Sequence, residues 1–274
     1  MNTIFKYSMM FAAALTFAMG ATSCSDDNND DHVGTFGTNE LKEVNADYVD
    51  NTIVATYRNL ANYNKVLMTD INAMTDDAGV AKACDTWRLS RKWWEFSEAF
   101  LFGAAGDYNI DPHTDTWPFD KTQFENYMNL YKNLQLGGEG EQNESATAII
   151  DEAITTGQNL TGFHAVEYLI FRNGQPRHFA DLTANEIYFA KAAARDLYIS
   201  SLKLVSAWGG NVSADEQALL DEVEFASSIN YGKNFKNAGN AGSTYSTTVL
   251  ASKEIIAGAK EIIGEVRDSK IGAP

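Results

Sequence analysis

The chain has 274 residues, with 21 Lys and Arg against 37 Asp and Glu and a formal net charge of −16. A surface this acidic repels nucleic acid and anionic bilayers, so no nucleic-acid partner is expected and a membrane is met only through an anchor. Two cysteines exclude a disulfide framework and a thiolate-rich metal site. The acidity favours cationic ligands, metal ions among them, although most acidic chains are merely soluble.

Residues 1–23 read as a secretory signal. Lys6 supplies a basic start, Met9 to Gly20 is apolar apart from Thr16, and Ala21, Thr22 and Ser23 make a small-residue junction. The apolar run is shorter than the ~20 residues that span a bilayer. Its small-small-Cys ending resembles a lipoprotein signal and makes Cys24 the expected lipidation site, although Ala21 stands where that pattern prefers Leu. The alternative is an ordinary signal peptide that leaves Cys24 free. Ser25 to Asp31 holds no apolar residue and fits a solvated tether over 24–40. An acidic run directly after a lipidated cysteine resembles a surface-export signal. The expected address is therefore the cell envelope, lipid-anchored to the outer membrane on its periplasmic or its outer face.

About 235 residues remain beyond the tether, enough for one large domain or two small ones. The first helical pattern covers about 45–71, where Val49, Ile53, Tyr57, Leu60, Tyr63, Leu67 and Ile71 recur every three or four residues. A second, rich in aromatics, covers about 79–102, with Cys84 as a small core residue. Residues 103–118 read as a loop carrying Asp107, Asp111, His113 and Asp115. Asp120 can cap a third helix with Phe124, Tyr127, Met128, Tyr131 and Leu134 on its apolar stripe. Gly137–Gly140 is a turn without the Lys-Ser or Lys-Thr of a phosphate loop, and a fourth helix covers about 144–155. The segment 160–171 ends at the breakers Gly174 and Pro176. Thr183 with Glu186, and Ser213 with Glu216, have capping-box spacing and open two more long helices. A glycine-rich loop over 237–243 precedes the last helix, about 246–266. No strand pattern stands out, so the chain reads as all-α, antiparallel helices packed as bundles.

The segment Gly162-Phe163-His164-Ala165-Val166-Glu167 carries the most chemistry. Three residues apart on a helix, His164 and Glu167 share a face about 5–6 Å apart, and facing helices of bundles build metal sites from such pairs. The bland alternative is a hydrogen-bonded core or surface pair. Trp87, Arg91, Trp94 and Glu98 are spaced four, three and four, so they line one stripe. Arg and Glu on an aromatic stripe must be paired or coordinated; an Arg–Glu salt bridge in an aromatic core is the plain reading. Asp115-Thr116-Trp117-Pro118 places Asp115 at the end of a loop that can fold back over that stripe, or else leaves it solvated in a turn.

Taken together, three segments in order resemble the imelysin-like proteins of bacterial envelopes. They are the stripe from Trp87 to Gly103, the run Asp115, Trp117, Pro118 and Asp120, and Gly162, His164 and Glu167 followed by Tyr168 and Leu169. The resemblance covers about residue 41 to the end. It implies two packed antiparallel helical bundles, 41–178 and 179–274, with the His-x-x-Glu motif near their junction. It also implies a link to iron uptake, with an iron-uptake partner in the envelope, and a historical assignment as a metallopeptidase. Family members continue past the residues similar to Asp268–Pro274, so the second bundle is expected to be incomplete.

Zinc peptidase chemistry needs about three protein ligands, an open position and a general base. Neither His-Glu-x-x-His nor its reversed form is present, because Tyr168 follows Glu167. His32 lies in the tether, and His113 and His178 in expected loops. A site of His164, Glu167, Glu98 and Asp115, oriented by Arg91, Trp87, Trp94 and Trp117, would be mostly carboxylate. That donor set suits a divalent or trivalent ion, iron before zinc, free or as a small iron chelate. Binding is the first reading, a metallopeptidase the second, and a structural surface lipoprotein with a vestigial site the third.

Overall fold

The computed structural model describes residues 38–130 and 160–265. The expectations for residues 1–37, including Cys24 and the tether, for 131–159 and for 266–274 lie outside the described residues.

Helix α1 (Thr38–Asp47) runs through a π-helical stretch, Tyr48–Val54, into α2 (Ala55–Asn72). Val49, Ile53, Tyr57, Leu60, Leu67 and Ile71 are fully buried, as their spacing requires. Tyr63 departs from that stripe and stacks on Trp93 with ring centroids 6.4 Å apart. The buried position beside it belongs to Asn64, a polar residue that an apolar pattern cannot reveal.

α3 (Asp77–Ser97) is capped by Asp76, whose carboxylate accepts the Gly79 N–H at 2.8 Å. It passes into a 3-10 turn, Glu98–Phe100. Cys84 is a core residue as expected: its thiol donates to the Ile170 carbonyl at 3.4 Å, and burial pushes it up to about 12. Residues 103–118 are not one loop. They contain α4 (Ala104–Asp107) and α5 (Ile110–Asp115), held by the buried side chains of Ala104, Ala105 and Ile110. Turns this short have no periodicity to read, so packing alone forms them.

α6 (Lys121–Leu130) starts from the expected cap, with the Gln123 N–H donating to Asp120 at 2.9 Å. α7 (Gly162–Ile170) leads into a two-residue antiparallel ladder of β1 (Phe171–Arg172) and β2 (Gln175–Pro176). Asn173 and Gly174 close that ladder at positive φ; an Asn-Gly pair is a hairpin signal even where strands are too short to alternate. α8 (Ala184–Ala207) and α9 (Ala214–Glu222) both open with the expected capping boxes. α9 is not long, however: only Glu216 and Leu220 of its nine residues are buried, and so little core contact sustains no more turns. α10 (Tyr231–Lys236) and α11 (Thr248–Glu265) follow.

Among the described residues the protein is all-α apart from that ladder. α2 lies between α3 and α8, and α7 closes against both α8 and α3. α11 packs on α1 and on the Glu98–Phe100 turn. Its approach is close: a Cβ on Gly258 would stand 2.1 Å from the Ala99 carbonyl oxygen, so only glycine seats the helix there. No described helix is long and apolar enough to cross a membrane.

Candidate metal centre

The stripe on α3 forms as its spacing predicts. Trp94 is fully buried, and the Trp87 indole N–H donates to the Phe163 carbonyl at 3.0 Å, tying α3 to α7. Arg91 pairs with Glu95 at 2.7 Å and with Asp115. The Trp94 indole donates to the other Asp115 oxygen at 2.8 Å. Asp115, the last residue of α5, is thus folded back over the stripe. Thr116 and Trp117 follow it, and the Trp117–Pro118 peptide is cis.

Gly162 brings the third segment in. It sits at φ +79°, and a Cβ there would lie 2.3 Å from the Thr114 carbonyl oxygen. Only glycine therefore allows α7 to start against the end of α5. From that start His164 reaches both neighbours: Nε2 lies 3.2 Å from Asp115 Oδ1, and Nδ1 lies 3.0 Å from Glu167 Oε2. The Trp117 ring leans on the imidazole with centroids 4.8 Å apart, yet stays 73% exposed.

The electrostatics follow from these contacts. Burial works against charging Asp115, but hydrogen bonds from His164 and Arg91 outweigh it and hold the carboxyl below its ordinary range. Burial likewise opposes protonation of His164, yet the bonds to Asp115 and Glu167 win and raise it to about 9. At neutral pH both ring nitrogens donate, and the imidazolium offers no lone pair.

Glu98 behaves differently. It begins the 3-10 turn and faces, with Asp115, a cavity of about 430 Å³ that Asp111, Glu254 and Glu261 also line, against an apolar wall including Phe102 and Ile262. Burial, reinforced by the charges of Asp115, Asp111 and Glu95, pushes Glu98 up to about 8, with Arg91 only partly compensating. Among the described residues no three His, Cys, Asp or Glu side chains stand close enough to enclose a bare ion. What the site offers a cation is an oxygen-lined space wide enough for an ion that keeps other ligands.

The eight residues singled out from the sequence thus fall into two groups. Trp87, Arg91, Trp94, Asp115, Trp117, His164 and Glu167 form one connected network. Glu98 stands apart from it: of the network only Asp115 lines the cavity that Glu98 also lines, and His164 and Glu167 do not. The other two described histidines stand apart: His113 pairs with Asp196 at 2.6 Å, and His178 with Asp77 at 2.8 Å. Sequence reasoning missed Glu254 and Glu261 on α11. Their signal was there, since Glu254, Gly258 and Glu261 are spaced four and three and share a face.

Comparison with known proteins follows the same lines. The family model described as Imelysin matches residues 53–274. Iron-regulated protein A of Synechococcus elongatus is 27% identical over 231 residues, which are 83% of this chain and 53% of that protein. The crystal structure described as an iron-regulated protein A precursor from Parabacteroides distasonis superposes with a TM-score of 0.68 at 24% identity, covering 89% of this chain and 63% of that one. The chain spans about half the length of the curated relative it matches.

Proposed function

The chain belongs to the imelysin family, and from that premise we propose that it is a cell-envelope protein that binds iron, as an ion or a small chelate, in the cavity lined by Glu98 and Asp115. Zinc is the second choice. The observation that carries this reading is the cavity that Glu98, Asp111, Asp115, Glu254 and Glu261 all border, a gathering of carboxylates that, with burial, raises Glu98 to about 8. A cation entering the cavity relieves that repulsion. The names of the two relatives, both iron-regulated protein A, support iron as the ion. An oxygen-rich donor set suits a hard ion, and the cavity leaves room for water or chelating groups on it.

In this reading Glu98 and Asp115 meet the cation directly. Arg91 and Trp94 fix Asp115, and Trp87 fixes α7 against α3. His164 joins as a ligand only by losing its proton, and Glu167 orients its ring. Binding therefore releases protons, from Glu98 and from His164. The envelope address rests on the signal and on Cys24. Cys24→Ser should lose fatty-acid labelling and leave the membrane fraction, and an unlabelled wild type would remove the anchor.

Calorimetric titration of the purified protein with ferrous, ferric and zinc ions, in two buffers of different ionisation enthalpy, tests the site. Saturable binding with proton release is expected, weakened strongly in Glu98→Gln, His164→Ala and Glu167→Ala. Arg91→Ala should cost less, because arginine cannot ligate. No saturable binding by wild type to any of the three ions would end the proposal.

A further inference from the structure

α5 lends the cavity two of its carboxylates, Asp111 and Asp115. Four residues apart on a helix of 3.6 residues per turn, they share one face, and His113 between them falls on the opposite one. There its Nε2 lies 2.6 Å from Oδ2 of Asp196, in the middle of α8, and both side chains are largely shielded from water. α8 is a firm base, since Ala193, Ala194, Leu197 and Ser200 around Asp196 are buried. α5 is not firm by itself. Six residues are too few to stand as an isolated helix, and Asn109, at φ 54°, makes no side-chain cap bond to it. The buried side chains of Ile110 and Thr114 set how deep α5 lies. Arg91, Trp94 and Gly162 meet its C-terminal end, and His113–Asp196 grips the face turned away from the cavity.

We propose that His113 and Asp196 are positioning residues of the cation site: the pair locks α5 against α8 in the rotation that turns Asp111 and Asp115 together onto the cavity. This inference rests on the cavity being the cation site, and it adds α8 to the elements that set its affinity. Apolar contacts are non-directional and fix depth. A hydrogen bond fixes distance and direction together, so it can hold the rotation that Ile110 and Thr114 leave open. Stability alone is a weak reason for such a pair, because a shielded ion pair replaced by apolar side chains is often neutral or stabilising. A site whose oxygens come from separate elements depends on each element's orientation, and a small turn of α5 moves two of its carboxylates at once. Groups that orient ligands from behind are worth about 10–100-fold in metal affinity.

The test uses the full chain, titrated calorimetrically with ferrous and ferric ions, with hydrogen exchange measured on the ion-free protein. Asp196→Ala should weaken binding about tenfold or more and speed exchange over residues 110–116 before any ion is added. Asp196→Asn keeps an oxygen that accepts from His113 and should recover most of the affinity. Asp196→Glu separates position from stability: it keeps the charge pair but displaces the carboxylate by a methylene. Its affinity should fall several-fold at an unchanged melting temperature, whereas a pair that serves stability alone would leave both unchanged. Glu222→Ala, which breaks the neighbouring Arg195–Glu222 pair, should bind as wild type does. Wild-type affinity in Asp196→Ala and Asp196→Glu, or unchanged exchange over 110–116 in Asp196→Ala, overturns the inference and leaves the cation site standing. Affinity that falls only in step with melting temperature across the variants makes the pair structural and overturns it too. No binding by wild type ends the reading of the cavity, and this inference with it.

Discussion

Neighbouring residues of α3 anchor two buried polar clusters of opposite character. Ser90 donates to the Asn64 side-chain carbonyl, while the Asn64 amide donates to Ser201 at 2.7 Å and to the Leu197 carbonyl at 3.2 Å. That cluster is neutral, sealed and saturated, and it locks α3, α2 and α8 together. Arg91, one residue on, opens the charged cluster of Asp115, His164 and Glu167, which borders a cavity and carries Glu98 unrelieved beside it. A neutral network with every donor used has nothing left for a ligand. A charged one held short of neutrality does.

The difference can be broken first at Gly162. Gly162→Ala adds backbone strain at positive φ, about 1–3 kcal/mol, to a clash with the Thr114 backbone of similar size. A loss near 4 kcal/mol in urea denaturation is expected, together with loss of cation binding; unchanged stability would mean that α7 need not start against α5. Next is Asp115→Asn, which leaves Arg91 with Glu95 alone and His164 with Glu167 alone. It should cost about 3 kcal/mol, the low end for opening a buried ion pair because both cations keep one partner. Asp115 is held below its ordinary range, so its contribution is present above about pH 4 and lost as pH falls. The variant should accordingly show a shallower acid limb in its melting curve.

Asn64→Ala strikes the other cluster and should cost about 2 kcal/mol by stranding Ser90 and a buried carbonyl. Its signature is indifference: the loss should be constant from pH 5 to 9, and cation titrations should match wild type. A pH-dependent loss would show that the two clusters are coupled. The smallest effect has the opposite sign. Glu98 is raised from 4.5 to about 8, so the folded state holds a proton that the unfolded state gives up. The stability this confers at low pH is lost as pH climbs through that window. His164, raised from 6.5 to about 9, acts in the same direction at higher pH. Glu98→Gln should therefore raise the melting temperature at pH 8 by roughly 3 °C, about 1 kcal/mol for a protein of this size, while strongly weakening cation binding. A destabilised Glu98→Gln would show that the ionised carboxylate holds the fold rather than the ligand.

Much of the charged cluster is legible before any coordinates. Trp87, Arg91, Trp94 and Glu98 fall on one helical stripe, and polar groups on such a stripe announce a need for partners. Asn64 is invisible by the same logic, because it occupies an apolar register with a polar side chain and its partners lie 26 and 137 residues away. Glu254 and Glu261 share a face in the sequence, but the sequence contains nothing that aims that face at Glu98.

Periodicity, caps and breakers are local, so the sequence by itself determined the long helices, both capping boxes and the Gly-x-His-x-x-Glu run with its neighbours. Contacts between distant segments are not local. The short helices α4 and α5 exist because Ala104, Ala105 and Ile110 found a core, and α9 stops where its core contact ends. Only the tertiary structure decided that Gly162 sets His164 on Asp115, and that Gly258 sets two glutamates across from Glu98. The physical reason is the same at both glycines: each admits an approach that a single Cβ would block, and which backbone approaches is a property of the fold.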